Sequence, residues 1–92
     1  DAQLDLLRKF TAQTEAIIAE FDTACAQQDA AQVSFHAHKL KSSARTVGAD
    51  HLADLCFALE LAGQNANWVE INSLTPELRT AVGRVKDYVN RL

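Results

Sequence analysis

The chain has 92 residues, a formal net charge of −3, 48% apolar residues and 23% charged ones. That is one domain's worth of chain with little core to spare, and its acidic balance speaks against a nucleic-acid binder. No apolar run is long enough to span a bilayer, and no signal-peptide pattern is present. Three glycines and a single proline argue against a turn-rich β fold. The abundant alanine, leucine, glutamine and glutamate favour helix.

The first helix is expected over residues 3–27. Leu4, Leu7, Phe10, Ile17, Ile18, Phe21, Ala24 and Cys25 fall mostly three and four apart and build one apolar stripe. Asp29 reads as an N-cap with Gln32 as its capping-box partner. The second helix is expected over residues 30–47, where Val33, Ala37, Leu40, Ala44 and Val47 form a buried seam. Gly48 follows as a C′ residue, because glycine takes the left-handed conformation at least cost. Asp50 is expected to cap a third helix with Leu52, Leu55, Cys56, Leu59 and Ala62 on one face, ended by Gly63 and residues 64–67. Asn67 with Glu70 opens a fourth helix, on which Val69, Leu74, Leu78, Val82, Val85, Val89 and Leu92 face inward. Pro76 is expected to break that helix, with Thr75 as a new N-cap and Pro76 at N1. A kink is the other option. Short connections between amphipathic helices imply an all-α, antiparallel, up-down-up-down four-helix bundle.

Cys25 and Cys56 form no CxxC pair. They fit buried apolar positions in a reducing, cytoplasmic setting, with a disulfide between them as the alternative. Clustered metal ligands are absent from the pattern. A start at Asp1 and the lack of methionine point to a domain excised from a longer protein.

Residues 36–49 read HAHKLKSSARTVGA, and no acidic residue occurs from Ala30 to Ala49. At about 100° per residue, His38 lies about 140° from the centre of the buried seam and faces water. Ser34, Lys41, Ser42 and Arg45 are its i−4, i+3, i+4 and i+7 neighbours on that face. His36 falls about 60° from the seam on the other flank, as a partly buried boundary residue. A neutral imidazole in water offers one nucleophilic nitrogen, and Lys41 and Arg45 could balance a dianionic group placed on it. Small Ser42 leaves room for such a group. Two histidines at i and i+2 point in nearly opposite directions, so the pair is no metal site. His51 reads as a surface residue. No glycine-rich phosphate loop occurs, and an exposed helix face offers no hydrolase pocket.

The stretch Ala37-His38-Lys39-Leu40-Lys41-Ser42-Ser43-Ala44, followed by Val47-Gly48-Ala49, resembles the histidine-containing phosphotransfer (HPt) domain. Leu55-Cys56-Phe57-Ala58-Leu59-Glu60 is similar to the family's third helix, and the resemblance covers essentially the whole chain. The family commonly has glycine where this chain has Ser42. The resemblance implies a phosphorelay carrier without autokinase or ATP-binding activity; the methionine-free start favours the tail of a sensor kinase, with a free carrier as the alternative. His38 would take a phosphoryl group from a receiver-domain aspartyl phosphate and pass it to another receiver. Lys41, with Ser42 and Arg45, would support the phosphoryl group. Ser34, Phe35 and Lys39 would meet the receiver, with Phe35, about 200° from the seam, as an outward apolar contact. No cofactor is expected in the domain itself, and the magnesium ion would sit on the receiver. The domain is expected to be monomeric and to contact neither membrane nor nucleic acid. The competing reading is a helical protein-interaction module that uses the basic face without phosphorylation.

Overall fold

The computed structural model describes residues 2–92, and Asp1 lies outside them. Four helices make up the domain: α1 (Ala2–Ala26), α2 (Ala30–Thr46), α3 (Asp50–Gln64) and α4 (Trp68–Asn90). No strand occurs among the described residues. α2 packs on α1 and α3, and α4 packs on α3 and α1, which closes a ring of helices around one core. The long dimension of 41 Å is close to the ~37 Å that a 25-residue helix spans.

The expected stripes meet in that core. Phe10, Ile17, Phe21 and Ala24 come from α1, and Val33, Ala37, Leu40 and Ala44 from α2. Leu52, Leu55, Cys56, Leu59 and Ala62 come from α3, and Ile71, Leu78 and Val82 from α4. Val69 and Leu92 do not join them; they are 84% and 59% exposed. Ile71 fills the position that Val69 was expected to hold, because Ile71 lies two turns before Leu78 on the same face, whereas Val69 lies about 180° away. Both cysteines are free thiols, so the alternative of a disulfide is not realised.

The three connections share one geometry. Gln28, Gly48 and Ala66 have φ of +53°, +78° and +50°. The amide of the next residue reaches back into the preceding helix: Asp29 to the Ala24 carbonyl at 2.9 Å, Ala49 to Ala44 at 2.9 Å, and Asn67 to Ala62 at 2.8 Å. These are Schellman turns, which satisfy carbonyls that a helix end leaves open. The residue that closes each one is also the N-cap of the following helix.

Asp29 Oδ1 accepts from the Gln32 amide at 3.2 Å as expected. The Asp29 amide is already spent on the Schellman bond, so its reciprocal partner is Ala24 rather than the Gln32 side chain. Asn67 Oδ1 accepts from the Glu70 amide at 3.2 Å, and Asn67 Nδ2 donates to Glu70 Oε2 at 3.3 Å.

Three expectations need correction. The cap of α3 is Ala49, without a side-chain hydrogen bond, and Asp50 is the first helical residue, where its charge favours the helix N-terminus. Gly63 does not end α3 but lies inside it, buried against α2. A Cβ there would come within 2.7 Å of the Ser34 nitrogen and 2.9 Å of the Ala30 carbonyl oxygen. The left-handed residue that ends α3 is Ala66. Finally, α4 runs through Pro76 without a break. Proline removes the hydrogen bond to Asn72, but both residues are exposed, so water can serve the freed carbonyl. Thr75 donates its hydroxyl to the Ile71 carbonyl at 2.7 Å instead of capping a new helix.

Candidate functional site

Gly63 of α3 lies against Ser34 and Ala30 of α2, and Ala53 and Ala62 of α3 share the core with Ala37 and Ala44 of α2, so small residues let the two helices approach closely. Side chains on the outer edge of this pair can therefore meet. His38 sits there with its side chain 56% exposed. Its Nδ1 lies 2.9 Å from Oε2 of Glu60, which projects from α3 and is only 13% exposed. Lys41 Nζ donates to the other oxygen, Oε1, at 2.5 Å. Its ammonium also lies 5.2 Å from the centroid of the Phe57 ring. One carboxylate from α3 thus binds two basic residues one turn apart on α2.

Burial alone would raise the Glu60 carboxyl. Hydrogen bonds and charge from Lys41 and His38 outweigh it and hold the group below its ordinary value, as a carboxylate. A carboxylate only accepts, so Nδ1 of His38 is the donor in this contact, and in the neutral ring the lone pair then falls on Nε2, on the far edge of an exposed ring.

This overturns two expectations. Lys41 does not face water: it is buried at 9% exposure and points along the α2–α3 seam toward Glu60. At about 80° from the seam it lies on the flank that α3 covers. Nor is the histidine's setting purely basic. The acids come from other helices, Glu60 from α3 and Glu20 from α1, where the acid-free run of α2 gave no sign of them. Glu60 was the missed residue. Its signal was a carboxylate next to buried Leu59 and one turn from buried Cys56 on α3, the half-buried acid of a helix whose other acids, Asp50 and Asp54, are exposed.

The other residues fall as follows. Ser42 and Arg45 are exposed, and Ser42 joins His38, Lys39 and Ser43 of α2 with Gln13, Ala16, Ile17 and Glu20 of α1 around a surface groove of about 480 Å³. Phe35 is 54% exposed. Lys39 Nζ lies 5.3 Å from its ring centroid and 3.8 Å from Glu20 Oε2. Ser34 is half-buried where Gly63 meets α2, so it serves the contact between helices rather than the open face. His36 is more deeply buried than a boundary residue, at 7% exposure. Its Nδ1 lies 3.4 Å from Glu20 Oε2 without forming a hydrogen bond, and its ring packs edge-on against Phe35. The two histidines are therefore unequal, with one presented and one packed. Among the described residues, no group of three or more His, Cys, Asp and Glu side chains is placed to hold a metal ion, and no helix is long and apolar enough to cross a membrane.

Fold and site together define a small all-α domain that presents a single oriented imidazole on a helix face. The chain belongs to the histidine-containing phosphotransfer family: the family model of the Hpt domain matches residues 5–88, essentially its whole length. Domains of this family are phosphocarriers that work with receiver domains in two-component phosphorelays. No curated protein and no solved structure matches the chain.

Proposed function

We propose that His38 is the phosphoacceptor and that its Nε2 shuttles a phosphoryl group between the aspartates of two receiver domains. The observation that carries this is the 2.9 Å contact between Nδ1 and Glu60 on an otherwise exposed ring. In the forward step the Nε2 lone pair attacks phosphorus of the aspartyl phosphate. The N–P bond forms as the P–O bond to aspartate breaks, and that electron pair leaves on the carboxylate. No proton has to move at Nε2. Nδ1 keeps its proton, and Glu60 offsets the positive charge that the ring gains. The reverse step, with a second receiver, regenerates the imidazole. The donor is already activated, so positioning and charge are what this chain needs to supply.

Exposed Ser42 and Arg45 border the space beside His38 and suit the phosphoryl oxygens. Phe35, Phe57 and Leu61 are large exposed apolar residues on α2 and α3 that suit an apolar receiver surface, with Lys39 at its rim. The carboxylates and magnesium ion that complete the chemistry are assigned to the receiver. We further read the bundle as antiparallel and up-down, supported by three-residue turns between helices that pack side by side. The domain is read as a cytoplasmic, monomeric tail of a sensor kinase, a setting that keeps Cys25 and Cys56 as thiols.

The test is to mix the domain with a phosphorylated receiver and follow intact mass. Wild type and His36→Gln should gain an acid-labile phosphoryl group, and His38→Gln should gain none. A phosphoryl group retained on His38→Gln, or lost only from a folded His36→Gln, would refute the assignment. No gain on any form with several receivers would favour the interaction module.

A further inference from the structure

α2 and α3, at 17 and 15 residues, are much shorter than α1 and α4, at 25 and 23. A helix the length of α2 spans ~26 Å, whereas the domain is 41 Å long. The surplus lies at one end. Thr46 and Val47, where α2 stops, share a cleft with Leu6 and Phe10 of α1, and Ala49 shares one with Val85 of α4. Residues 2–9 of α1 and the last turns of α4 therefore run on past the α2–α3 turn without cover from α2 or α3. Burial fades along the stripes that make the core. Leu6 precedes Phe10 by one turn on the same face, yet it is 43% exposed against 3%. Leu78, Val85 and Leu92 lie seven apart on α4 and pass from buried through half-buried to exposed. Where the overhanging ends meet, Gln3, Leu4, Leu7, Tyr88 and Leu92 line a cleft of about 270 Å³, and Leu6 edges a second of about 150 Å³.

The charge of this end is opposite to that of the rest. Residues 2–9 and 84–92 hold five cations and two acids, a balance of +3, whereas residues 10–83 hold four cations and nine acids, a balance of −5. Lys86 is paired with Glu15 at 3.1 Å. Arg8, Lys9, Arg84 and Arg91 are exposed and have no ion-pair partner among the described residues, although Asp50 shares a cleft with Arg84. We propose that this end is a docking site for an acidic amphipathic helix of a partner protein. The apolar stripe of such a helix continues the bundle where α2 and α3 stop, and its larger side chains enter the two clefts. Glutamates on its flanks meet the four unpaired cations. Concave clefts take discrete side chains, which a lipid surface does not offer. The −5 of residues 10–83 repels any broad anionic surface, whether membrane or nucleic acid. A symmetric pairing of two copies through this end brings like charges together. His38 lies ~12 Å back along α2 from Thr46, so a helix seated here holds the domain without covering the imidazole. The inference does not depend on His38 being the acceptor.

The test is a titration of the domain with three synthetic helices about five turns long, which share one leucine stripe and carry glutamate, glutamine or lysine on its flanks. Fluorescence anisotropy gives the affinity, and amide 1H–15N shifts give the site. The glutamate peptide should bind, should shift Leu6, Leu7, Val85 and Tyr88 but not the residues around His38, and should weaken as salt rises. The lysine peptide should bind at least about tenfold more weakly, and the double variant Arg84→Glu, Arg91→Glu should lose about tenfold or more for the glutamate peptide. Both arginines are exposed, so that variant should keep its Tm. His38→Gln should bind as wild type does, which keeps this result separate from the phosphotransfer assay. No binding of the glutamate peptide would overturn the proposal. So would equal affinity for all three peptides, shifts centred on Phe35 and Phe57, or an unaffected charge-reversal variant. Tighter binding to vesicles containing phosphatidylglycerol than to the glutamate peptide, or self-association of the domain through these same residues, would overturn it as well.

Discussion

Alanine in place of Gly63 and alanine in place of Gly83 should change stability in opposite directions, although both glycines lie inside helices. Glycine in a helix interior costs about 0.5–1 kcal/mol relative to alanine, so each substitution begins with that gain. At Gly83 a new methyl group meets nothing within 4 Å, and the gain stands. At Gly63 it meets the Ser34 nitrogen at 2.7 Å, the Ala30 carbonyl oxygen at 2.9 Å and Ser34 Cβ at 2.9 Å. Two of these atoms are backbone, so relief requires α2 and α3 to separate. Overpacking of this kind costs about 1–3 kcal/mol, which leaves a net loss of up to about 2.5 kcal/mol after the helix gain. In a domain of this size 1 kcal/mol moves Tm by roughly 4–8 °C. Thermal and urea unfolding of the two variants should show Gly83→Ala above wild type and Gly63→Ala below it. The separation would be centred one turn from His38, so Gly63→Ala should also slow phosphoryl uptake, whereas Gly83→Ala should not. A Gly63→Ala protein as stable as Gly83→Ala would refute the close approach of α2 and α3.

Ala66 holds a left-handed backbone that glycine adopts at far lower cost, so Ala66→Gly should raise stability by about 1 kcal/mol in urea unfolding; a loss would mean that the turn after α3 is not left-handed. Glu60 is held below its ordinary value when folded, so its contribution is fully present above its unfolded value and lost as pH falls through the folded one. The stability difference between wild type and Glu60→Gln, measured by denaturant titration from neutral to acidic pH, should therefore shrink toward the acid end; a constant difference would show that Glu60 has no charged partners. Burial pushes the Cys56 thiol up to about 12 and raises half-buried Cys25 as well. A maleimide should thus label Cys25 slowly and Cys56 only after unfolding, as mass spectrometry would read out, and labelling of native Cys56 at the Cys25 rate would contradict its burial.

What could be read from the sequence was what local chemistry decides. The seam from Val33 to Ala44, the caps at Asp29 and Asn67 and the left-handed Gly48 depend on residues at most a few positions apart. Gly63 and Pro76 were misjudged because composition marks glycine and proline as breakers, whereas residues 64–67 do end α3. Here the neighbouring helix explains the glycine, solvent around Asn72 tolerates the proline, and backbone hydrogen bonds hold an alanine left-handed. The candidate site divided in the same way. His38 and its exposure followed from the period of α2 alone. Glu60 and the true direction of Lys41 depend on how α3 lies against α2, and the 19-position separation of Lys41 and Glu60 carries no local pattern that joins them.

The shared residues at Asp29, Ala49 and Asn67 have a mechanical meaning. Each is locked to the helix behind it through its amide and is the cap of the helix ahead. Neither end can loosen without the other, so the connections leave no slack for one helix to swing against the next. A histidine on α2 and a carboxylate on α3 accordingly keep their registration as a rigid body would. Within the domain, no connection between helices is long enough to act as an arm. Successive partners must come to a fixed platform, and the selectivity of the relay then falls to how well each of them fits the same unmoving face.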